Sequence, residues 1–294
     1  VSVRIDFKTS PQGVDWTTLD ETWAAAGELA VFGGGWINDH LTDAARDRGG
    51  PSLEAMTVAA AIAHRVPGKW IGHAVLSNTF RHPAVLAKAA TTMDLVTGGR
   101  FIVGLGAGWH EHEHTDFGID LPPIGERISR LESSARVLRA LWSPAAATDP
   151  GVDLDDPFYP LHGAVNLPAP TTPGGPPLWL GGQGPRGRRI AARYADGWHV
   201  PSLPFIDVDT FRERRDLLAR ELEATGRAVD GFAFAAQVPT GPDDASLERA
   251  RELGMGFARV GATHLIVGMP ARLGADGLHR VAREVAEPLR ERLG

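Results

Sequence analysis

The chain has 294 residues, a formal net charge of −6 and no cysteine, which is enough length for one large α/β domain or two medium ones. The lack of thiols excludes disulfides and thiolate metal ligands and fits a reducing, cytoplasmic setting. The mildly acidic balance offers no electrostatic footprint for nucleic acid, and no apolar run approaches the roughly 20 residues of a membrane span.

Residues 3–7 alternate like a first strand, without the basic and apolar regions of a signal peptide. Leu19, Trp23, Ala26 and Leu29 recur at helical spacing and predict a helix over 16–29. A second strand over 31–38 ends in Asp39 and His40, and a polar, Gly-rich loop follows at 42–50. Pro51 opens the next helix, to residue 63, with Ser52 as its expected cap. A third strand spans 70–77, and a helix over 84–96 is closed by Gly98 and Gly99. The fourth strand runs from Arg100 through Gly104, Leu105, Gly106, Ala107 and Gly108 into Trp109 and a knot of His and Glu. A long amphipathic helix covers 124–142.

Residues 143–177 differ: nine of the 35 are proline. A stretch this irregular reads as an excursion from the domain, expected to lie over its mouth and to serve function. Regular alternation then resumes, with strands at 177–180, 197–200, 232–238 and 264–268 and helices at 188–194, 208–224, 244–259 and 277–293. Eight strands, nearly all followed by helices, predict a parallel sheet closed into a single (β/α)8 barrel over 1–294. Open doubly wound sheets commonly have five or six strands.

Catalytic groups of such a barrel gather at the C-terminal ends of the strands. Asp39, His40, Ser77, Asn78, residues 106–114, Gly181, Gly182, Gln183, Gly184 and His199 all fall there. His40 suits acid–base work, imidazole holding or releasing a proton near neutral pH; a capping histidine is an equal reading. Three glycines in the four residues 181–184, between strand and helix, suit a phosphate against free backbone N–H groups, with a flexible turn as the plain alternative. His110, Glu111 and His114 spell H-E-x-x-H, the pattern of a zinc hydrolase. The strand directly before it and Gly118 just after it leave little room for a helix, so a cofactor-facing turn is the better reading and no metal site is assigned. Trp109 either covers a planar ring or closes the barrel end. His73 reads as part of the barrel wall.

Six blocks in order resemble the luciferase-like family of flavin- and F420-dependent oxidoreductases: residues 36–41, 77–83, 92–101, 104–109, 123–127 and 180–184. The resemblance implies a (β/α)8 barrel, a small-molecule substrate, F420 or alternatively FMN as cofactor, and an assembly open between monomer and homodimer. It implies that Asp39 and His40 meet the redox ring, with His40 handling the proton and Glu111 or His110 as its partner. Ala74 and Val75 match a strand-three bulge with a non-proline cis peptide behind the ring. Ser77 matches a cofactor-contacting hydroxyl, Ala107 and Gly108 the polyol and phosphate contacts, His112 a nearby polar contact, and Gly182, Gln183, Gly184 and Pro185 the phosphate turn. Two departures stand out. The F420 glucose-6-phosphate dehydrogenases carry a carboxylate where Trp109 stands and a Trp soon after the strand-two His, where this chain has Asp43 and Ala44. The expected activity is therefore hydride transfer between F420 and a small organic substrate other than that sugar phosphate. A reduced-flavin monooxygenase of the same fold is the alternative, with a non-catalytic flavin-binding protein more remote.

Overall fold

A computed structural model describes residues 3–43, 50–201 and 206–294. Its centre is a closed barrel of eight parallel strands: β1 (Arg4–Thr9), β2 (Gly34–Ile37), β3 in two pieces (Trp70–His73 and Leu76–Ser77), β4 (Phe101–Gly106), β5 (Leu178–Gly181), β6 (Gly197–Val200), β7 (Ala233–Pro239) and β8 (His264–Met269). Each strand pairs with the next, and β8 returns to β1 with Arg4 opposite His264 and Thr9 opposite Met269. The expected (β/α)8 barrel is the fold observed. Every residue of β2 and β4 is buried, as expected for strands covered on both faces.

Around the barrel lie α1 (Trp16–Glu28), α2 (Ala55–Ile62), α3 (Pro83–Thr97), α4 (Glu111–Phe117), α5 (Ile124–Leu141), α6 (Pro185–Tyr194), α7 (Val208–Ala224), α8 (Asp244–Arg259), α9 (Gly274–Val281) and α10 (Glu287–Leu293). Alternation along the strands divides the apolar residues in two. Trp36, Ala74, Ile102, Trp179, Ala233, Ala235 and Ile266 fill the barrel interior; the larger cluster lies between strands and helices. The interior also holds Asp6, which accepts from Trp36 Nε1 at 2.8 Å and from Arg4. Among the described residues no helix is long and apolar enough to cross a membrane.

The non-proline cis peptide expected at Ala74–Val75 is present and divides the third strand. Four other local expectations are corrected. The cap of α2 is Glu54, whose carboxylate accepts from the N–H groups of Met56 and Thr57; Ser52 instead donates to the carbonyl of His40 at 2.8 Å. The segment after β4 is the short helix α4, made possible by His110 capping the Glu113 N–H and by Gly118 ending it in the left-handed region. The helix after β5 starts three residues earlier than expected, at Pro185. The closing helix is divided by a π turn at Ala282–Ala286, ahead of Pro288, which has no N–H to give the preceding turn.

The 143–177 excursion contains a two-stranded antiparallel pair, Val152–Leu154 with Leu161–Ala164. Its anchors lie along the outside of α3 and α5: Asn166 donates to Thr91 and to the Leu141 carbonyl, both at 3.0 Å. The buried Asp94 carboxylate takes the Thr172 N–H at 2.8 Å and its hydroxyl at 2.7 Å. The Tyr159 ring meets the edge of His82, the cap of α3. Asp94→Ala is expected to lower stability by about 2–3 kcal/mol, the scale of lost hydrogen bonds to a buried charged group. Urea denaturation tests this, and an unchanged midpoint would mean that the excursion is held by other contacts.

Candidate active site

The chain leaves β2 into Asn38, Asp39 and His40, and the next two side chains turn in different directions. Asp39 is buried. Its carboxylate accepts from the Ser77 N–H at 2.8 Å and from both terminal nitrogens of Arg81, at 2.6 and 2.9 Å. Arg81 reaches on to Glu54. Burial alone would lower the guanidinium's proton affinity, but Asp39 and Glu54 raise it well above the usual arginine value. Burial works on Glu54 in the opposite sense and is outweighed; the Thr57 and Arg81 hydrogen bonds bring its carboxyl down to about 2. Asp39 thus fastens the end of β2 to the second piece of β3 and fixes Ser77.

His40 is half-buried and has a carboxylate partner that sequence reasoning missed. Its Nδ1 lies 3.0 and 3.1 Å from the two oxygens of Glu113. Glu113 is buried and projects back from α4. Its Oε1 also accepts from the backbone N–H groups of Leu41 and Thr42, at 2.8 and 3.1 Å. Burial alone would raise the Glu113 carboxyl; the His40 and Thr42 hydrogen bonds and the charges of His40 and His110 together hold it below the ordinary 4.5. An ionised carboxylate only accepts, so Nδ1 of His40 carries hydrogen. In the neutral ring Nε2 is then the free lone pair, and it has no hydrogen-bond partner among the described residues.

Of the two predicted partners of His40, His110 sits beside this pair. Glu111 is exposed on the outer face of α4. His110 is the α4 cap, with Nδ1 3.6 Å from Glu113 Oε2. Trp109 is 67% exposed and presents its ring to the edges of His40 and His110, with centroids 5.9 and 4.8 Å apart. His112 is exposed, its ring 6.1 Å from that of His110. The first half of the loop after His40 is described to Asp43; Ala44 and residues 45–49 of the expected mouth loop lie outside the described residues.

His114 makes a different connection from the one its H-E-x-x-H spelling suggests. Its Nδ1 meets the His110 carbonyl at 2.7 Å and its Nε2 the Thr79 hydroxyl at 2.7 Å. Thr79 in turn meets Ser77 Oγ at 2.7 Å. The carbonyl must accept, so in the neutral ring Nε2 accepts from Thr79, and Thr79 accepts from Ser77. The Ser77 oxygen is left with its lone pairs for the mouth. Among the described residues, no group of three His, Asp or Glu side chains is placed to hold a metal ion.

The glycines of β4 serve close approach between strands. A Cβ on Gly104 would stand 1.8 Å from the His73 carbonyl oxygen, and one on Gly106 would stand 2.8 Å from Val75 Cγ2. They make room for the β3 bulge and seat Val75 at the barrel mouth. Gly108 lies against the Ser77 and Thr79 hydroxyls, and its carbonyl accepts from Arg127; Ala107 is half-buried beside it. His73 is wholly buried, with Nε2 3.3 Å from the Ala55 carbonyl; burial pushes it down to about 4. It belongs to the barrel wall.

Across the mouth, Gly182 has φ +125°, a conformation that favours glycine. Its carbonyl accepts from Trp198 Nε1 at 2.8 Å, and that of Gln183 from Arg188 at 2.8 Å. Gly184 caps α6 with no side-chain hydrogen bond, and Pro185 follows at the first turn. The N–H groups of this turn are therefore left without a side-chain cap. Arg186 is committed to Gly125 and Ser129 of α5.

The fold and the blocks around this mouth define a family. A model of the luciferase-like monooxygenases matches residues 9–290, and the chain belongs to that family. An F420-dependent glucose-6-phosphate dehydrogenase of Kribbella flavida is 34% identical over 203 residues, covering 69% of this chain and 58% of that protein. A phthiodiolone/phenolphthiodiolone dimycocerosates ketoreductase of Mycobacterium sp. is 32% identical over 205 residues, covering 66% and 52%. The chain therefore spans little more than half the length of these curated relatives. Among solved structures, an F420-dependent secondary alcohol dehydrogenase with an F420–acetone adduct superposes with a TM-score of 0.81 at 17% identity, covering 99% of both chains. EDTA monooxygenase from Chelativorans sp. BNC1 does so at 0.80 and 15%, covering 99% of this chain and 94% of that one. At such identities the likeness establishes the fold.

The Glu113 carboxyl ionises below its unfolded value of 4.5. Its contribution to stability is therefore complete above that value and is lost as pH falls through the lower, folded one. Glu113→Gln is expected to destabilise the protein by about 1–3 kcal/mol at neutral pH, with the gap from wild type closing on acidification. Denaturation curves at a series of pH values test this; a gap independent of pH would show that the carboxylate's charge contributes nothing.

Proposed function

We propose that the chain is an F420-dependent oxidoreductase in which His40 handles the proton that accompanies hydride transfer to or from a small alcohol or carbonyl compound. The observation that carries this reading is the Glu113–His40 pair, which protonates Nδ1 and leaves Nε2 without a partner among the described residues at the strand-two end of the mouth. The names of the curated relatives and of the alcohol dehydrogenase structure support the choice of cofactor and of substrate class.

The residues present fit such a cofactor. The α6 turn at Gly182, Gln183, Gly184 and Pro185, uncapped by any side chain, suits its phosphate. Ser77 offers an oriented oxygen, and Val75 an apolar face on the β3 bulge. Gly108 lies against the Ser77 hydroxyl on the same side, and Ala107 and His112 are assigned to the cofactor with it. When bound, F420 supplies the hydride acceptor or donor at its deazaflavin ring. His40 Nε2 takes the hydroxyl proton of an alcohol as it is oxidised, or returns a proton to the carbonyl oxygen of a ketone as it is reduced. Glu113 holds the ring in the required tautomer and stabilises the imidazolium that forms, as a carboxylate does behind a catalytic histidine. Trp109 shields the pair from bulk water on the outer side.

Titration with F420 and with FMN, followed by absorbance or fluorescence, is expected to show F420 bound more tightly. Tight FMN binding without an F420 response would establish the flavin-dependent alternative, and failure of both would overturn the cofactor reading. His40→Ala is expected to keep F420 affinity while lowering the rate of hydride transfer by about 10²–10⁴-fold. An unchanged rate would remove His40 from the chemistry.

A further inference from the structure

Inward-facing positions near the mouth end of the barrel include Lys8 on β1, His199 on β6, Gln237 on β7 and Gly268 on β8. Three of the side chains form a chain. Lys8 Nζ donates to Gln237 Oε1 at 2.8 Å, which sets the amide so that its NH2 group donates to His199 Nε2 at 3.0 Å. His199 is buried and accepts through Nε2; burial and then the charge of Lys8 push it down to about 3. The chain therefore holds one positive charge, on Lys8, and a neutral imidazole.

That charge has no acid to answer it. Among the described residues no carboxylate lies within ion-pair distance of Lys8, and burial, opposed by nothing, pushes the amine down to about 8. Asp6, the inward acid two residues earlier, is taken up by Arg4 and Trp36. An ammonium has three donors, and Gln237 uses one. In register with Lys8 on the neighbouring strand stands Gly268, where a Cβ would meet nothing within 4 Å. A partly buried cation with spare donors, beside open space, is unfavourable until an anion joins it.

We propose that Lys8 is a substrate-binding residue, taking the carboxylate or phosphate group of an acidic substrate into the space left by Gly268. This deepens the oxidoreductase reading and rests on it for the word substrate; the anion site itself does not. The neutral His199 and the Gln237 amide orient the ammonium, and the site selects acidic molecules over their uncharged analogues.

The test is calorimetric titration with two probes, succinate and inorganic phosphate, on the protein with and without F420. At least one probe is expected to bind the wild type. Lys8→Met is expected to weaken that binding by about thirtyfold or more, the scale of losing one partner of a desolvated charge pair. Lys8→Arg is expected to retain most of it. Gly268→Leu, which fills the space and leaves the charge, is expected to abolish it while the far-ultraviolet dichroism stays native, so that the outcome does not hang on one variant's folding. Undiminished binding in Lys8→Met and Gly268→Leu, or no binding by the wild type, would overturn the proposal. A Lys8→Met protein that loses F420 affinity and keeps its anion affinity would assign Lys8 to the cofactor and also overturn it. If neither F420 nor FMN binds the wild type, the cofactor reading fails, yet the anion titration of the cofactor-free protein still decides the role of Lys8.

Discussion

A carboxylate removed from water needs every donor within reach, and Glu113 finds its donors on the segment that follows β2. Two backbone N–H groups and the Nδ1 of His40 converge on it from residues 40–42. The interaction joins the ends of β2 and β4, which are not neighbours in the barrel since β3 runs between them. It also settles the tautomer of His40, whose Nε2 has no hydrogen-bond partner among the described residues. Position and tautomer of His40 therefore depend on a residue that touches no substrate in the proposed reaction. The geometry resembles that of catalytic histidines backed by a buried acid, where the acid orients the ring and does not itself take the proton.

A second acid does equivalent work one residue away. Asp39 binds the Ser77 N–H and clasps Arg81 with both oxygens, a paired geometry suited to guanidinium. Its effect is to lock the second piece of β3, and with it the Ser77–Thr79–His114 chain of hydrogen bonds. Between the two acids, β3 and β4 approach so closely that Gly104 admits no side chain against the His73 carbonyl. The mouth is built from strand ends held by buried acids, and the open groups His40 Nε2 and Ser77 Oγ are what those acids leave over.

Much of the fold was legible because its signals are local. β6, α7 and α8 have the bounds their periodicity predicts, and the alternation of elements names the barrel. The misplaced features are those that depend on a partner distant in sequence. Ser52 has the chemistry of a cap, but the His40 carbonyl competes for its hydroxyl. Glu111 and Glu113 look alike on the chain, and only the helical turn that α4 makes, exposing one and burying the other, distinguishes them. The spacing of an acid and the α4 cap in His110–Glu113 was the available signal, since a capping residue three positions before an acid marks a helix start. Lys8 and Gln237 gave no signal at all: each is a single polar residue in a strand, and their meeting across the barrel is a product of closure.

The interior polar groups divide along the barrel axis in a way that tracks function. Asp6 is closed: Arg4 neutralises it and Trp36 donates to it, so it is satisfied by the chain alone and contributes to the stability of the barrel. Lys8, two residues nearer the mouth on the same strand, is satisfied once, by a neutral amide. Burial acts on both residues, so solvent alone does not account for the difference; it lies in whether the fold supplies the opposite charge. Strand ends at the mouth of such barrels carry chemistry while the opposite end carries stability, and here the boundary falls between residues 6 and 8 of one strand. A group left unanswered on the mouth side of that boundary is where a ligand has something to add.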